Sequence, residues 1–143
     1  QTFNQGFATT EFLASAIVDI DFHADPDAAT ADPIATEKKT LKRIGMPKEI
    51  IMRHRTPHFQ HVFSGDGYSS GYYSYLWSEV LDADAFAAFE ETGDVFDPAT
   101  AKRLKQFVYG AGGLRDEAEA YKAFRGRMPD VEGLLRKRGL SNA

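Results

Sequence analysis

Between Thr9 and Phe22 the stretch TTEFLASAIVDIDF sets Phe12, Leu13, Ala16, Ile17 and Ile20 at helical spacing, with Thr9 or Thr10 placed to cap the first turn. HADPDAATADP follows, short, polar and carrying Pro26 and Pro33, and reads as a loop. Ala35 to Ile44 predicts a short basic helix that ends at Gly45 and is stopped by Pro47. Pro47 to Ile51 starts a further turn, and Arg53 to Asp66, interrupted by Pro57, has no clear period. From Gly67 or Tyr68 to Phe89 a long helix is predicted. Tyr68, Tyr72, Tyr75 and Leu76 form one stripe and Trp77, Val80 and Leu81 a second. Asp97-Pro98 opens the next helix, with Asp at the cap and Pro at the first position, running to about Tyr109 where GAGG ends it. Asp116 to Gly126 and Pro129 to Arg138 complete the set, the last closed by Gly139. No segment alternates as a strand would and none repeats. The pattern therefore predicts an all-α fold of about six helices in one piece spanning residues 1–143.

Composition supports a packed domain. Apolar residues are 43% of 143 and charged residues 27%, too apolar for a disordered chain. The net charge of −4 is spread along the sequence, and no Lys/Arg stripe alternates with aromatics, so nucleic acid is not an expected partner. The one basic cluster, LLRKRGL, complements the end of a helix. The absence of cysteine removes disulfides, thiolate metal sites and a cysteine nucleophile. No apolar run reaches the roughly 20 residues of a membrane span, so no membrane partner is expected. The chain starts at Gln1 and enters helical pattern almost at once, as a piece of something longer would.

Candidate chemistry gathers in MRHRTPHFQHVFSGDGYSSGYYSYLW, Met52 to Trp77. His54, His58 and His61 are spaced i, i+4, i+7, which on one helix face would suit zinc. Pro57 argues against a shared helix, and no HExxH pattern occurs anywhere in the chain. Packed histidines, or a histidine donating to a substrate carbonyl, are the other readings. Gly65, Gly67 and Gly71 lack the lysine and the preceding strand of a phosphate loop and read better as a hinge into a helix, able to close over a ligand. Tyr68, Tyr72 and Tyr75 are expected on one face, with Tyr73 pointing elsewhere. Such a stripe either packs with its hydroxyls at the polar edge or hydrogen-bonds an oxyanion beside a histidine. Glu79, Asp82 and Asp84 are expected on a solvated helix face. Arg115, Arg125 and Arg127 are expected to tie helices together through carboxylates such as Asp116 and Glu119, or to bind a peptide carboxylate.

FNQGFATTEFLASAIVDIDFH, IGMPKEIIMRHRTPHFQHVFSGDGYSSGYYSYLWSEVLDADAFAAFE and AYKAFRGRMPDVEGLLRKRGL resemble the C-terminal portion of the M3 (neurolysin-like) zinc metallopeptidases. The likeness runs over essentially the whole chain, and the GYxxGYYxYLWxEV block is highly specific. Within the family the chain looks most like the bacterial peptidyl-dipeptidases of Dcp type, relatives of oligopeptidase A and thimet oligopeptidase. The resemblance implies a helical two-lobed enzyme whose channel admits short peptides. It also implies a zinc ion held by two histidines of a HExxH helix and a later glutamate, with the HExxH glutamate activating water. HExxH and the third-ligand segment are both missing here. Zinc is therefore expected only in a full-length parent, on ligands upstream of Gln1, and no metal ligand is expected in this chain.

What carries over from the family is the other side of the cleft. His61 matches a histidine that binds substrate backbone and stabilises the tetrahedral intermediate. Tyr68 and Tyr75 match tyrosines of the same role, with Tyr75 the best candidate to donate to the oxyanion. Tyr72 matches a further cleft-lining tyrosine, and Gly65 and Gly67 lie in the adjoining substrate-binding loop. His54 and His58 receive no role. The expected partners are short peptides and the upstream part of the same catalytic domain, and the expected compartment is the cytoplasm. The alternative is a non-catalytic helical domain that binds peptides or self-associates through exposed apolar faces, as a homo-oligomer.

Overall fold

The computed structural model describes residues 2–141. It has seven α-helices and no strand among the described residues: α1 (Gln5–Ala24), α2 (Pro33–Arg43), α3 (Gln60–Phe63), α4 (Ser74–Glu90), α5 (Pro98–Leu104), α6 (Glu117–Arg125) and α7 (Glu132–Arg138). The all-α expectation holds, and the helix beyond six is α3, a single turn inside the segment without clear period. The chain divides into two compact units, Gln1–Leu76 and Trp77–Ala143, with α4 beginning in the first and continuing into the second.

In the first unit α1 starts earlier than its apolar spacing suggests, behind Asn4, which takes the left-handed conformation at φ 57°. Thr10 is no cap: its hydroxyl donates to Gly6 O at 2.7 Å inside the helix. The buried face of α1 is Ala14, Ser15, Ala16, Val18 and Asp19, small enough to let neighbours approach closely. Ala14, Val18 and Met52 form one apolar cluster with Leu41, Ile44 and Met46, packing α2 and its exit turn on α1. α2 begins at Pro33 because the Asp32 carboxylate accepts the Ile34 N–H at 2.9 Å and Pro33 needs no helical donor bond. It ends through Gly45 at φ +66°, where the Met46 N–H reaches back to Leu41 O at 2.9 Å.

A buried glutamate on α2 holds the segment that follows. Glu37 is 2% exposed and accepts from Arg55 Nε at 2.5 Å, from Thr56 N–H at 2.9 Å and from the Thr56 hydroxyl at 3.0 Å. These bonds start a 3₁₀ turn at Thr56–His58, which delivers Phe59 and Val62 into a cluster with Ala16 and Tyr72.

In the second unit α5 is capped by Asp97, whose carboxylate accepts the Thr100 N–H at 2.6 Å, with Pro98 at the first position. It runs on through a π-helical turn, Lys105–Tyr109, closed by Gly110 N–H donating to Lys105 O at 2.7 Å. α6 is capped by Asp116 and ends at left-handed Gly126; α7 ends at left-handed Gly139. Gly133 lets α7 lie against α4, since a Cβ there would sit 3.3 Å from the Ala83 carbonyl carbon. Ala88, Tyr121 and Phe124 centre the core, packed by Leu81, Ala85, Leu104 and Phe107.

Asp84 does not lie on a solvated face. It is 1% exposed and accepts from Tyr121 Oη at 2.7 Å, Arg125 Nε at 3.3 Å and Arg127 Nη2 at 2.5 Å. Arg125 also grips Glu91 with both terminal nitrogens, and Arg127 reaches Asp130. Arg125 and Arg127 do tie α6 and the segment after it to α4, through Asp84 and Glu91 in place of Asp116 and Glu119, whereas Arg115 lies over the Phe107 ring at 5.6 Å. Asp116 is occupied as the α6 cap.

Candidate functional site

The segment from Phe59 to Tyr75 folds into three short pieces around one imidazole. α3 carries His61, a 3₁₀ turn over Asp66–Tyr68 carries Tyr68, and the first turn of α4 carries Tyr75. Tyr68 and Tyr72 are thus not on the helix that bears Tyr75, although their spacing imitates one. The chain breaks there because Ser69 is extended and Ser70 is left-handed at φ 58°. Gly71 lies so close to the preceding turn that a Cβ would meet Tyr68 O at 3.2 Å. Three phenols still converge, through tertiary packing.

His61 is their centre. Its ring lies 4.7 Å from that of Tyr68, 5.8 Å from Tyr75 and 5.9 Å from Tyr72. Tyr75 Oη is 3.2 Å from His61 Nε2, a hydrogen bond whose proton belongs to one atom or the other according to the imidazole tautomer. With the proton on Nε2 the imidazole donates to Oη, and the Tyr75 O–H is released toward solvent. Tyr68 and Tyr75 are each about half exposed, whereas Tyr72 is buried.

Tyr72 is the floor. Its ring stacks on Phe12 of α1 at 4.9 Å and meets Phe59, Tyr75 and His54 edge-on. Burial raises its phenol above the ordinary value, with Arg53 opposing, so Tyr72 stays a neutral group. His54 stacks flat on Phe59 at 4.4 Å, with its Nδ1 buried and unpartnered. Burial, then the nearby Arg53 and His61, lowers its pKa and keeps it neutral. His58 is exposed on its 3₁₀ turn. Among the described residues no three His, Asp or Glu side chains gather as a metal site. A zinc ion of the kind the resemblance implies does not fit this set.

Gly65 precedes the Tyr68 turn and Gly67 lies within it, both with open space where a Cβ would stand, so the steric demand for glycine in this loop is at Gly71.

Two structural supports of this cluster escape the apolar pattern. Asp19 on α1 accepts the Ser70 N–H at 3.1 Å and the Tyr72 N–H at 3.0 Å, and pairs with His23 Nδ1 at 2.8 Å. Arg53, over the Phe12 ring at 5.0 Å and bonded to Glu11 at 3.1 Å, closes the far edge of the cluster. The available signal for Asp19 was an acid at i+7 from Phe12 on the buried stripe of α1.

A sequence profile of peptidase family M3 matches residues 1–140, which is nearly the full chain. The chain belongs to peptidase family M3. Among its M3 relatives, oligopeptidase A of Haemophilus influenzae is 41% identical over 132 residues, covering 91% of this chain and 19% of that protein. Dipeptidyl carboxypeptidase of Salmonella typhimurium is 31% identical over 141 residues, covering 96% and 20%. A probable cytosolic oligopeptidase A of Arabidopsis thaliana is 36% identical over 145 residues, covering 98% and 20%. This M3 stretch therefore spans about a fifth of the length of the curated relatives it matches. No helix among its described residues is long and apolar enough to cross a membrane.

Proposed function

We propose that this chain supplies one wall of the substrate cleft in an M3 peptidase that hydrolyses short peptides, by peptidyl-dipeptidase or oligopeptidase action. The observation that carries the reading is the His61–Tyr75 hydrogen bond at 3.2 Å, flanked by a second exposed phenol, Tyr68. The names of the relatives support the reaction class.

In this reading His61 donates through Nε2 to Tyr75 Oη and so orients the phenol. The Tyr75 O–H then donates to the carbonyl oxygen of the scissile peptide, and its hydrogen bond strengthens as negative charge develops there. Tyr68 donates to a neighbouring backbone carbonyl, and the open backbone at Gly65 and Gly67 lets a peptide lie alongside. Tyr72 keeps the imidazole and both phenols in register from below. In a full-length parent, zinc would be held by ligands outside this chain. The partners are short peptides and the rest of the same catalytic domain. The cytoplasm is the proposed compartment, in keeping with the cytosolic Arabidopsis relative.

A chimera tests this. The matching segment of Haemophilus oligopeptidase A is replaced by this chain, and cleavage is followed on short peptides with free or blocked C-termini. Cleavage is expected, and the blocked series separates dipeptide release from internal cutting. A folded, zinc-loaded chimera that cleaves neither would contradict the proposal.

A second reading, a non-catalytic helical domain that self-associates, is favoured by the apolar residues α1 exposes. Phe7, Leu13 and Ile20 are each at least 40% exposed.

A further inference from the structure

We infer that Asp19 is a positioning residue of the His61–tyrosine site, setting the place of Tyr72 and Tyr75 through the backbone of residues 70–72. The functional half of this inference rests on the peptidase reading; the structural half does not.

Asp19 has a fully buried carboxylate on a helix face whose other buried residues are Ala14, Ser15, Ala16 and Val18, a placement that is costly unless its lone pairs are used. Its partners are the Ser70 and Tyr72 N–H groups, 51 and 53 residues away in sequence, and His23 one turn along α1. The two amides belong to the irregular turn where Ser70 is left-handed and Gly71 crowds Tyr68 O, so no helix or strand partner fixes it. Phe12, Ala16 and Asp19 lie at i, i+4 and i+7 on one stripe of α1. Phe12 stacks on the Tyr72 ring, Ala16 packs beside it, and Asp19 holds its main chain. α1 thus grips Tyr72 by ring and by backbone. α4 starts two residues later, so the same grip fixes the origin of the helix that carries Tyr75 to within 3.2 Å of His61. A shift of about 1 Å in such a donor lowers turnover steeply.

The test compares Asp19→Asn with the parent chain. The asparagine is isosteric but points an NH₂ group at one of the three donors. Asp21→Asn is the control: Asp21 lies on the same helix but bonds Thr40 and Arg43 of α2. In the 143-residue chain, nuclear Overhauser contacts from the His61 ring to Tyr68 and Tyr75 are expected in the parent and in D21N and to be lost in D19N. The Ser70 and Tyr72 amides should exchange with solvent roughly tenfold or more slowly in the parent than in D19N. Contacts that persist in D19N would overturn the inference. Should D19N not fold, the parent alone decides: Ser70 and Tyr72 amides exchanging at unprotected rates would overturn it, and protected ones support it. In the chimera, D19N is expected to lower kcat by roughly 10- to 100-fold with a smaller change in KM. If D19N loses the ring contacts yet keeps kcat, Asp19 orders the turn without positioning the reaction, and the functional half is overturned. If the chimera itself is inactive, the peptidase reading fails while the contact and exchange results still judge the clamp.

Discussion

Tyr75 Oη and His61 Nε2 lie 3.2 Å apart across 14 residues of sequence, joining the first turn of α4 to the single turn of α3. Through that contact the imidazole orients a half-exposed phenol. Replacing His61 by Gln, which can still donate through its amide, should therefore preserve more activity in the chimera than His61→Ala. Equal activity of the two variants, measured as kcat, would remove that orienting role.

Tyr72 should matter through its ring more than through its hydroxyl. It is 8% exposed and touches Phe12, Phe59, His54, His61 and Tyr75. Tyr72→Ala is expected to cost about 3 kcal/mol or more in chemical denaturation of the chain, and Tyr72→Phe far less. Similar losses for both would place its contribution in the hydroxyl.

The second unit carries a pH dependence of its own. Burial first, then the hydrogen bond to Asp84, holds the Tyr121 phenol well above its ordinary 10.0. The folded chain keeps a proton that the unfolded chain releases above about pH 10, so this stability is intact below that pH and falls as pH rises beyond it. Thermal unfolding across the alkaline range should show the decline, reduced in Tyr121→Phe. A slope identical in the variant would exclude Tyr121 as its source.

Much of the fold was legible because helix ends are written in short codes. Asp97-Pro98 and Asp116 mark starts, and Gly126 and Gly139 mark stops, each by a local hydrogen bond or a left-handed turn. Asp32-Pro33 is the same code as Asp97-Pro98, obscured by the prolines and acids around it. The start of α4 was not legible. Tyr68, Tyr72 and Tyr75 follow helical spacing, yet Asp19, far away in sequence, captures the amides that a helix would have used. Buried acids mislead in the same way: Asp84 sits among other acids and looks solvated, and only Tyr121, Arg125 and Arg127, brought by tertiary packing, explain its burial.

The apolar residues that α1 leaves in solvent should make the isolated chain self-associate. Phe7, Leu13 and Ile20 are exposed along it. Light scattering is expected to show dimers or larger species whose share rises with concentration. A monomer at every concentration would remove this interface.

Metal content separates the two histidine readings. His54 is stacked on Phe59, His58 is exposed, and His61 is engaged with Tyr75. Elemental mass spectrometry of the purified chain, dialysed against a weak chelator, should find no stoichiometric zinc. One zinc per chain would mean that these histidines form a site after all.

The most direct measurement is the steady-state kinetics of Tyr75→Phe in the peptide-cleaving chimera, since this change removes one hydroxyl and nothing else. In that variant kcat is expected to be lower by roughly 100-fold or more with KM little changed, as for loss of a donor used mainly in the transition state. A kcat equal to that of the parent would contradict the role of Tyr75 as that donor.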